Sequence, residues 1–161
     1  MNTKILKLLD KNARYSLEEL AVMTGLSTDE VATKMDELKR EGLIKGYKAI
    51  IDWEKLDSAK VSAMIEIKIT PQANDGFESL AGIISKYDNV ESVYLMSGSY
   101  DLLVLVKGKT FKDVSFFVAK QLATLKGVVS TATHFILRRY KEMDIELYNN
   151  EKDERGTVSL W

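Results

Sequence analysis

Three patterns in this 161-residue chain predict an α+β protein built in two parts. Residues 16–47 hold two short helical patterns joined at a glycine. Residues 61–137 switch repeatedly between period-two and period-3.6 apolar spacing, in the order β-α-β-β-α-β. The stretch between them, 52–60, is charged and aperiodic and reads as a hinge. The expected division is 1–52, a linker at 53–60, a second domain at 61–141 and a tail at 142–161.

In the first part, Ile5, Leu8 and Leu9 give an opening helix its buried stripe, with Lys4, Lys7 and Lys11 outside. Ser16 and Glu19, then Ser27 and Glu30, have the spacing of capping boxes, so a helix starts at each serine. Leu17, Leu20 and Ala21 share one face of the earlier helix; Val31, Met35 and Leu38 share one face of the later one. Gly25 can take the left-handed conformation that turns the chain, with Leu26 tucked beneath the joint. This is a helix-turn-helix, whose second helix enters a DNA major groove. Gly42 ends that helix, and the β-prone residues on both sides of Gly46 predict a small β-wing over 43–52.

The second part opens with a strand in which Val61, Ala63, Ile65, Ile67 and Ile69 alternate with polar or flexible residues, stopped by Pro71. Asp75 and Glu78 are placed to cap a helix bearing Leu80, Ala81 and Ile84. Strands are expected at 90–97 and 100–107, on either side of a turn at Gly98 and Ser99. Thr110 and Asp113 cap a further helix, which Gly127 should end, and a last strand follows over 128–137. That order is the ferredoxin-like unit, with both helices on one face of a four-stranded sheet. The third strand is apolar on both faces at 102–106, so its far side is expected to be a dimer interface or to be covered by the chain's own tail. The tail can pair as a hairpin or be solvated.

Composition removes several functions. The chain has no cysteine and one histidine, His134, which excludes disulfides, thiolate catalysis and a cysteine- or histidine-rich metal site. No apolar run approaches the ~18 residues of a membrane span, and the first residues lack a signal-peptide core, so a cytoplasmic protein is expected. Residues 1–57 carry a net charge of −1 and 58–161 a net of zero. A DNA-binding head is usually basic, because phosphate neutralisation supplies much of the affinity. Here the cations must be concentrated on one face, or each head must bind weakly.

The chain resembles the Lrp/AsnC family of feast/famine transcription regulators across nearly its whole length. The residues that carry the likeness are Leu26, Ser27, Val31, Lys34, Met35, Leu38, Gly42, Leu43, Ile44, Gly46, Tyr47, Ala49, Ile51 and Asp52. In the second half they are Gly98, Ser99, Tyr100, Asp101, Leu102 and Leu103, then Gly127, Val128, Thr131, Thr133, Leu137, Tyr140 and Lys141. The resemblance implies a winged helix-turn-helix joined to a ligand-sensing ferredoxin-like domain. It also implies homodimers, often assembled into an octamer (a tetramer of dimers), with an amino acid effector bound between dimers at the Gly98 to Asp101 loop. It implies no cofactor. The family position held by Lys34 is commonly arginine, which grips bidentately where lysine is a point charge.

The expected partner is therefore double-stranded DNA, contacted by Ser27, Thr28, Thr33 and Lys34 on the recognition helix and by Lys45 and Lys48 on the wing. Each is otherwise an ordinary solvated residue, and Ser27 caps its helix in either case. Asp101 is the sharpest effector candidate, a carboxylate for an ammonium group, with Gly98, Ser99, Tyr100, Thr131 and Thr133 around it. Its competing role is to cap its own turn. Two other functions fit the same architecture. One is an amino-acid sensor or co-regulator with weak or lost DNA binding, which the acidic Asp29, Glu30, Asp36 and Glu37 favour. The other is a sirohaem decarboxylase, but that branch carries an arginine-rich wing and further histidines, and this chain has neither.

Overall fold

Glycine and serine set the joints of the first unit. In the computed structural model, which describes residues 2–55, 60–70 and 77–148, the chain forms two compact units, 1–49 and 50–161. The first contains α1 (Asn2–Lys11), α2 (Leu17–Thr24) and α3 (Thr28–Arg40). Ser16 with Glu19 and Ser27 with Glu30 form both predicted capping boxes. Gly25 is left-handed at φ +75°, and its N–H donates to the Ala21 carbonyl at 2.8 Å, closing α2. The chain reverses there and starts α3 three residues later, with Ser27 as its N-cap. Ile5, Leu9, Leu20, Ala21, Val31 and Leu38 meet in one buried cluster, with Leu26, Met35 and Ile44 against it.

The predicted wing does not close. Residues 43–52 form no strand, and Leu43, Tyr47 and Ile51 are exposed. An isolated two-stranded hairpin is marginal in water, and in this segment Ile44 packs against the first core while Leu43, Tyr47 and Ile51 stay exposed.

The second unit runs β1 (Val61–Ile69), α4 (Glu78–Ile84), β2 (Val90–Leu95), β3 (Leu102–Gly108), α5 (Phe111–Phe117) and β4 (Val128–Ile136). The strands are antiparallel, in the order β2-β3-β1-β4, as a ferredoxin-like unit requires. Ala63, Ile65 and Ile67 of β1 and Leu102, Val104 and Val106 of β3 are fully buried against Leu80, Ile84, Val114, Phe117 and Leu122. On the other face lie Met64 and Glu66 of β1, Leu103 and Leu105 of β3, Tyr94 of β2, and His134 and Ile136 of β4. His134 Nε2 is 3.3 Å from the Glu66 carboxylate across that face.

Several boundaries move. The Thr110–Asp113 box caps α5 as predicted, but the helix passes into a π turn at Val118–Leu122 and ends there, five residues before Gly127. No side chain caps α4, whose N-cap residue is Phe77. The expected cap at Asp75, the strand stop at Pro71, part of the 53–60 linker and the last tail segment at 157–161 lie outside the described residues. The described part of the tail pairs with itself, β5 (Lys141–Glu142) with β6 (Ile145–Glu146), across a turn in which Met143 and Asp144 both have positive φ. Leucine, valine and isoleucine thus build two separate cores, one per unit.

An alanine Cβ at position 25 would meet nothing within 4 Å, so only backbone strain opposes it. Gly25→Ala should therefore destabilise the first unit by about 1–2 kcal/mol, and Gly25→Asn by less, because asparagine tolerates the left-handed region. Urea unfolding followed by a probe in residues 1–49 checks this; equal stability of all three proteins would show that the turn is not strained.

Candidate functional sites: a helical nucleic-acid interface and a sheet-end loop

The candidate recognition helix is α3. At about 100° per residue, Thr33 lies opposite the buried Val31, with Asp29, Asp36 and Arg40 on the same outward side. Those four are exposed. Lys34 and Thr28 sit on the two flanks instead, each about 60° from Val31 by the same geometry, and Lys34 is half-buried. Of the three, only Thr33 lies opposite the buried stripe, although Thr28 is exposed as well.

Ser27 is committed to the helix start. Its hydroxyl donates to Glu30 Oε2 at 2.8 Å and accepts from the Glu30 N–H at 3.3 Å; its own N–H donates to the same carboxylate at 2.8 Å. The Ser27 backbone bond, followed by the hydroxyl and by Lys34 nearby, holds the Glu30 carboxyl below the usual range. The charge belongs to the folded state. It supports the cap above the ordinary carboxylate pKa, and that support is lost as pH falls through the lowered value.

Lys45 and Lys48 lie exposed on the unpaired 43–52 segment, where they can approach phosphates but are not held in a hairpin. Arg40 is a residue that the apolar pattern did not single out. It ends α3 on the outward face and makes no ion pair among the described residues, whereas neighbouring Lys39 is 3.5 Å from Asp36. Its signal was available, since helical spacing from Thr33 reaches it in two turns.

The loop of Gly98, Ser99, Tyr100 and Asp101 joins β2 to β3 at one end of the sheet. Asp101 is bound at three points. Its N–H donates to the Ile67 carbonyl at 3.0 Å, its carbonyl accepts from Met96 at 2.8 Å, and Oδ2 accepts the Ile69 N–H at 2.7 Å. The side chain thus ties the loop to the end of β1, beside the register shift between Lys68 and Ile69. Its other oxygen has no hydrogen-bond partner among the described residues. Gly98 and Ser99 are exposed, Tyr100 is half-buried, and a side chain at Gly98 would meet nothing within 4 Å.

Thr131 pairs with Ile67, whose partner on the opposite side is Leu102, next to Asp101. Thr133 pairs with Ile65, one pleat further from the loop. Both threonines fall on the helix-facing side of β4, in step with the buried isoleucines, and are half-buried. The register brings Thr131 near the loop and leaves Thr133 behind it. Among the described residues no cluster of three or more histidine or acidic side chains is arranged to hold a metal, and no helix is long and apolar enough to cross a membrane.

Comparison with known proteins agrees with this geometry. A winged helix-turn-helix DNA-binding model matches residues 2–45, and the Lrp/AsnC ligand binding domain model matches residues 62–145. The HTH-type transcriptional regulator YugG of Bacillus subtilis is 46% identical over 158 residues, 98% of this chain and 95% of its own. The leucine-responsive regulatory protein of Escherichia coli is 28% identical over 142 residues, 88% of this chain and 86% of its own. A transcriptional regulator from Neisseria meningitidis solved with L-Met superposes with a TM-score of 0.69 at 26% identity, over 88% of this chain and 90% of that one. Escherichia coli AsnC shares the fold at a TM-score of 0.66 and 23% identity, over 88% and 93%. With one family model spanning half the chain and a relative this similar along its whole length, the chain belongs to the Lrp/AsnC family of helix-turn-helix, DNA-binding transcriptional regulators.

Proposed function

We propose that this regulator reads duplex DNA through residues 27–48 and responds to an amino acid bound at the Gly98 to Asp101 loop, between dimers. The observation that carries the effector site is the half-used Asp101 carboxylate. Its bond from Ile69 fixes the orientation of the group and leaves one oxygen free beside an open glycine, which suits an ammonium group. Ser99 and the loop N–H groups can take the carboxylate of the same ligand, with Tyr100 and Thr131 as neighbours and Thr133 more distant. The L-Met complex of the Neisseria relative supports an amino acid as the ligand class. DNA contacts are assigned to Thr28, Thr33, Lys34, Lys45 and Lys48, with Ser27 holding the helix start. The 53–60 linker joins head to sensor. The protein acts in the cytoplasm as a regulator and not as an enzyme.

Assembly is assigned to the sheet face away from the helices. Met64 and Tyr94 are 42% and 52% exposed there, and Leu103 and Leu105 only half-buried. The dimer buries this face, and a tetramer of dimers brings the loops together. A ligand bridging two dimers favours the assembled state, so effector and operator affinities are coupled reciprocally.

Lys34→Glu should weaken binding to every duplex and lower the salt slope by about 0.9 per head. Mobility shifts over a salt series on the chain's own upstream region test it. Wild-type protein that ignores that DNA at low salt, with or without amino acids, would favour the sensor without DNA binding.

Leu103→Asp should convert the dimer to a monomer, because an unpaired buried charge costs several kcal/mol. Sedimentation at micromolar concentration decides, and a monomeric wild type would sink the assignment.

Asp101→Asn retains an acceptor for the Ile69 N–H but removes the charge. It should fold normally and lose effector binding in titration calorimetry across the twenty amino acids. Equal binding by the variant, or none by the wild type, would leave Asp101 a purely structural tie.

A further inference from the structure

The stretch through α5 and the turns on either side of it carries a concentration of positive charge that the zero net charge of residues 58–161 conceals. Residues 109–126 contain Lys109, Lys112, Lys120 and Lys126 against a single carboxylate, Asp113. That carboxylate is occupied by the helix cap, accepting the Thr110 N–H at 2.9 Å. All four lysines are exposed, and none forms an ion pair among the described residues. Between two of them stands Phe116, 48% exposed, with the Lys112 and Lys120 ammonium groups 5.3 and 5.1 Å from its ring centroid. The aromatic face attracts both cations and gathers two like charges on one outward surface. The other helix of this unit has no counterpart: residues 77–89 hold Lys86 against Glu78 and Asp88.

Charge of this kind, close together and unneutralised, is complementary to a polyanion. The chain's class supplies one, since it is a DNA-binding regulator. Its recognition helix meanwhile presents Asp29, Glu30, Asp36 and Glu37 against Lys34, Lys39 and Arg40. Counterion release from phosphates is the main sequence-independent source of affinity, and α3 is poorly charged to collect it. We propose that the surface formed by Lys112 and Lys120 around Phe116, with Lys109 and Lys126 flanking it in sequence, is an additional contact to the phosphate backbone of duplex DNA, independent of base sequence. The inference rests on the DNA-binding reading but not on the effector or dimer assignments. The lysines position the duplex and carry no base readout.

The test uses the full chain with Lys112→Gln/Lys120→Gln, and Lys86→Gln as a control for general charge. Binding to an upstream-region fragment and to a non-operator duplex of equal length is measured across salt. The double variant should lose about 0.9 in log–log salt slope for each lysine that holds a phosphate. It should weaken on both duplexes by the same factor, leaving their affinity ratio and the sedimentation behaviour unchanged, and Lys86→Gln should match the wild type. An unchanged slope in the double variant overturns the proposal, as does an equal loss per charge in Lys86→Gln. A changed assembly state also overturns it, because the lysines would then serve a subunit contact. If wild-type protein binds neither duplex at low salt, the DNA-binding reading itself fails and this inference falls with it; if the wild type binds and only the variant's expected loss is missing, the inference alone fails.

Discussion

The alternation along β1 is the constraint on which the second unit depends. This strand is hydrogen-bonded on both edges, to β3 and to β4, so its register fixes theirs. Ala63, Ile65 and Ile67 are sealed on one side, while Ser62, Met64, Glu66 and Lys68 stand on the other. A slip of one residue would put three buried side chains into water and a carboxylate into the core, a change no neighbouring strand could offset. The end of β1 is secured in addition by Asp101, whose carboxylate reaches the Ile69 N–H where the β4 register shifts. One acidic side chain therefore serves the sheet's geometry and stands at the candidate effector loop. A ligand that engages its free oxygen acts on a group already anchored in the sheet, so binding there need not be confined to a floppy loop in its consequences.

In the first unit the corresponding constraint is local. Gly25 reverses the chain, and the Ser27–Glu30 box starts α3 with both partners satisfied. The acidic first turn suits the helix dipole, and Glu30 is stabilised as an anion by Ser27. The same carboxylates burden a surface meant for phosphates. Helix stability and DNA affinity thus make opposite demands on residues 29 and 30. Cations outside that turn include Arg40, Lys45 and Lys48 in the first unit and, in the contact proposed above, Lys112 and Lys120 in the second.

Both units also show where a local signal stops. The two serine capping boxes and the Thr110 box lie within four residues of sequence each, and all three form as written. The wing needed something more. β-prone residues around Gly46 are not sufficient for a hairpin, which is marginal on its own, and the segment remains unpaired. The end of α5 differs as well. Gly127 marks the next turn, but the helix passes into a π turn at the buried Val118 and Leu122 and stops there.

By itself the sequence determined the two-part division, the three helix starts that carry capping boxes and the strand order, because these rest on short-range spacing and on which residues must leave water; the class of function came with the family likeness. It also contained the likeness that points to the Gly98 to Asp101 loop. What only the tertiary structure decided was how side chains from distant positions share a surface. It put Thr131 and Thr133 on the helix side of β4. It gave Asp101 a partner 32 positions away in the chain and set Lys112 and Lys120 over one phenyl ring. Pairings of that range depend on the closed sheet and packed helices, since only the assembled core holds the backbone still enough to fix them.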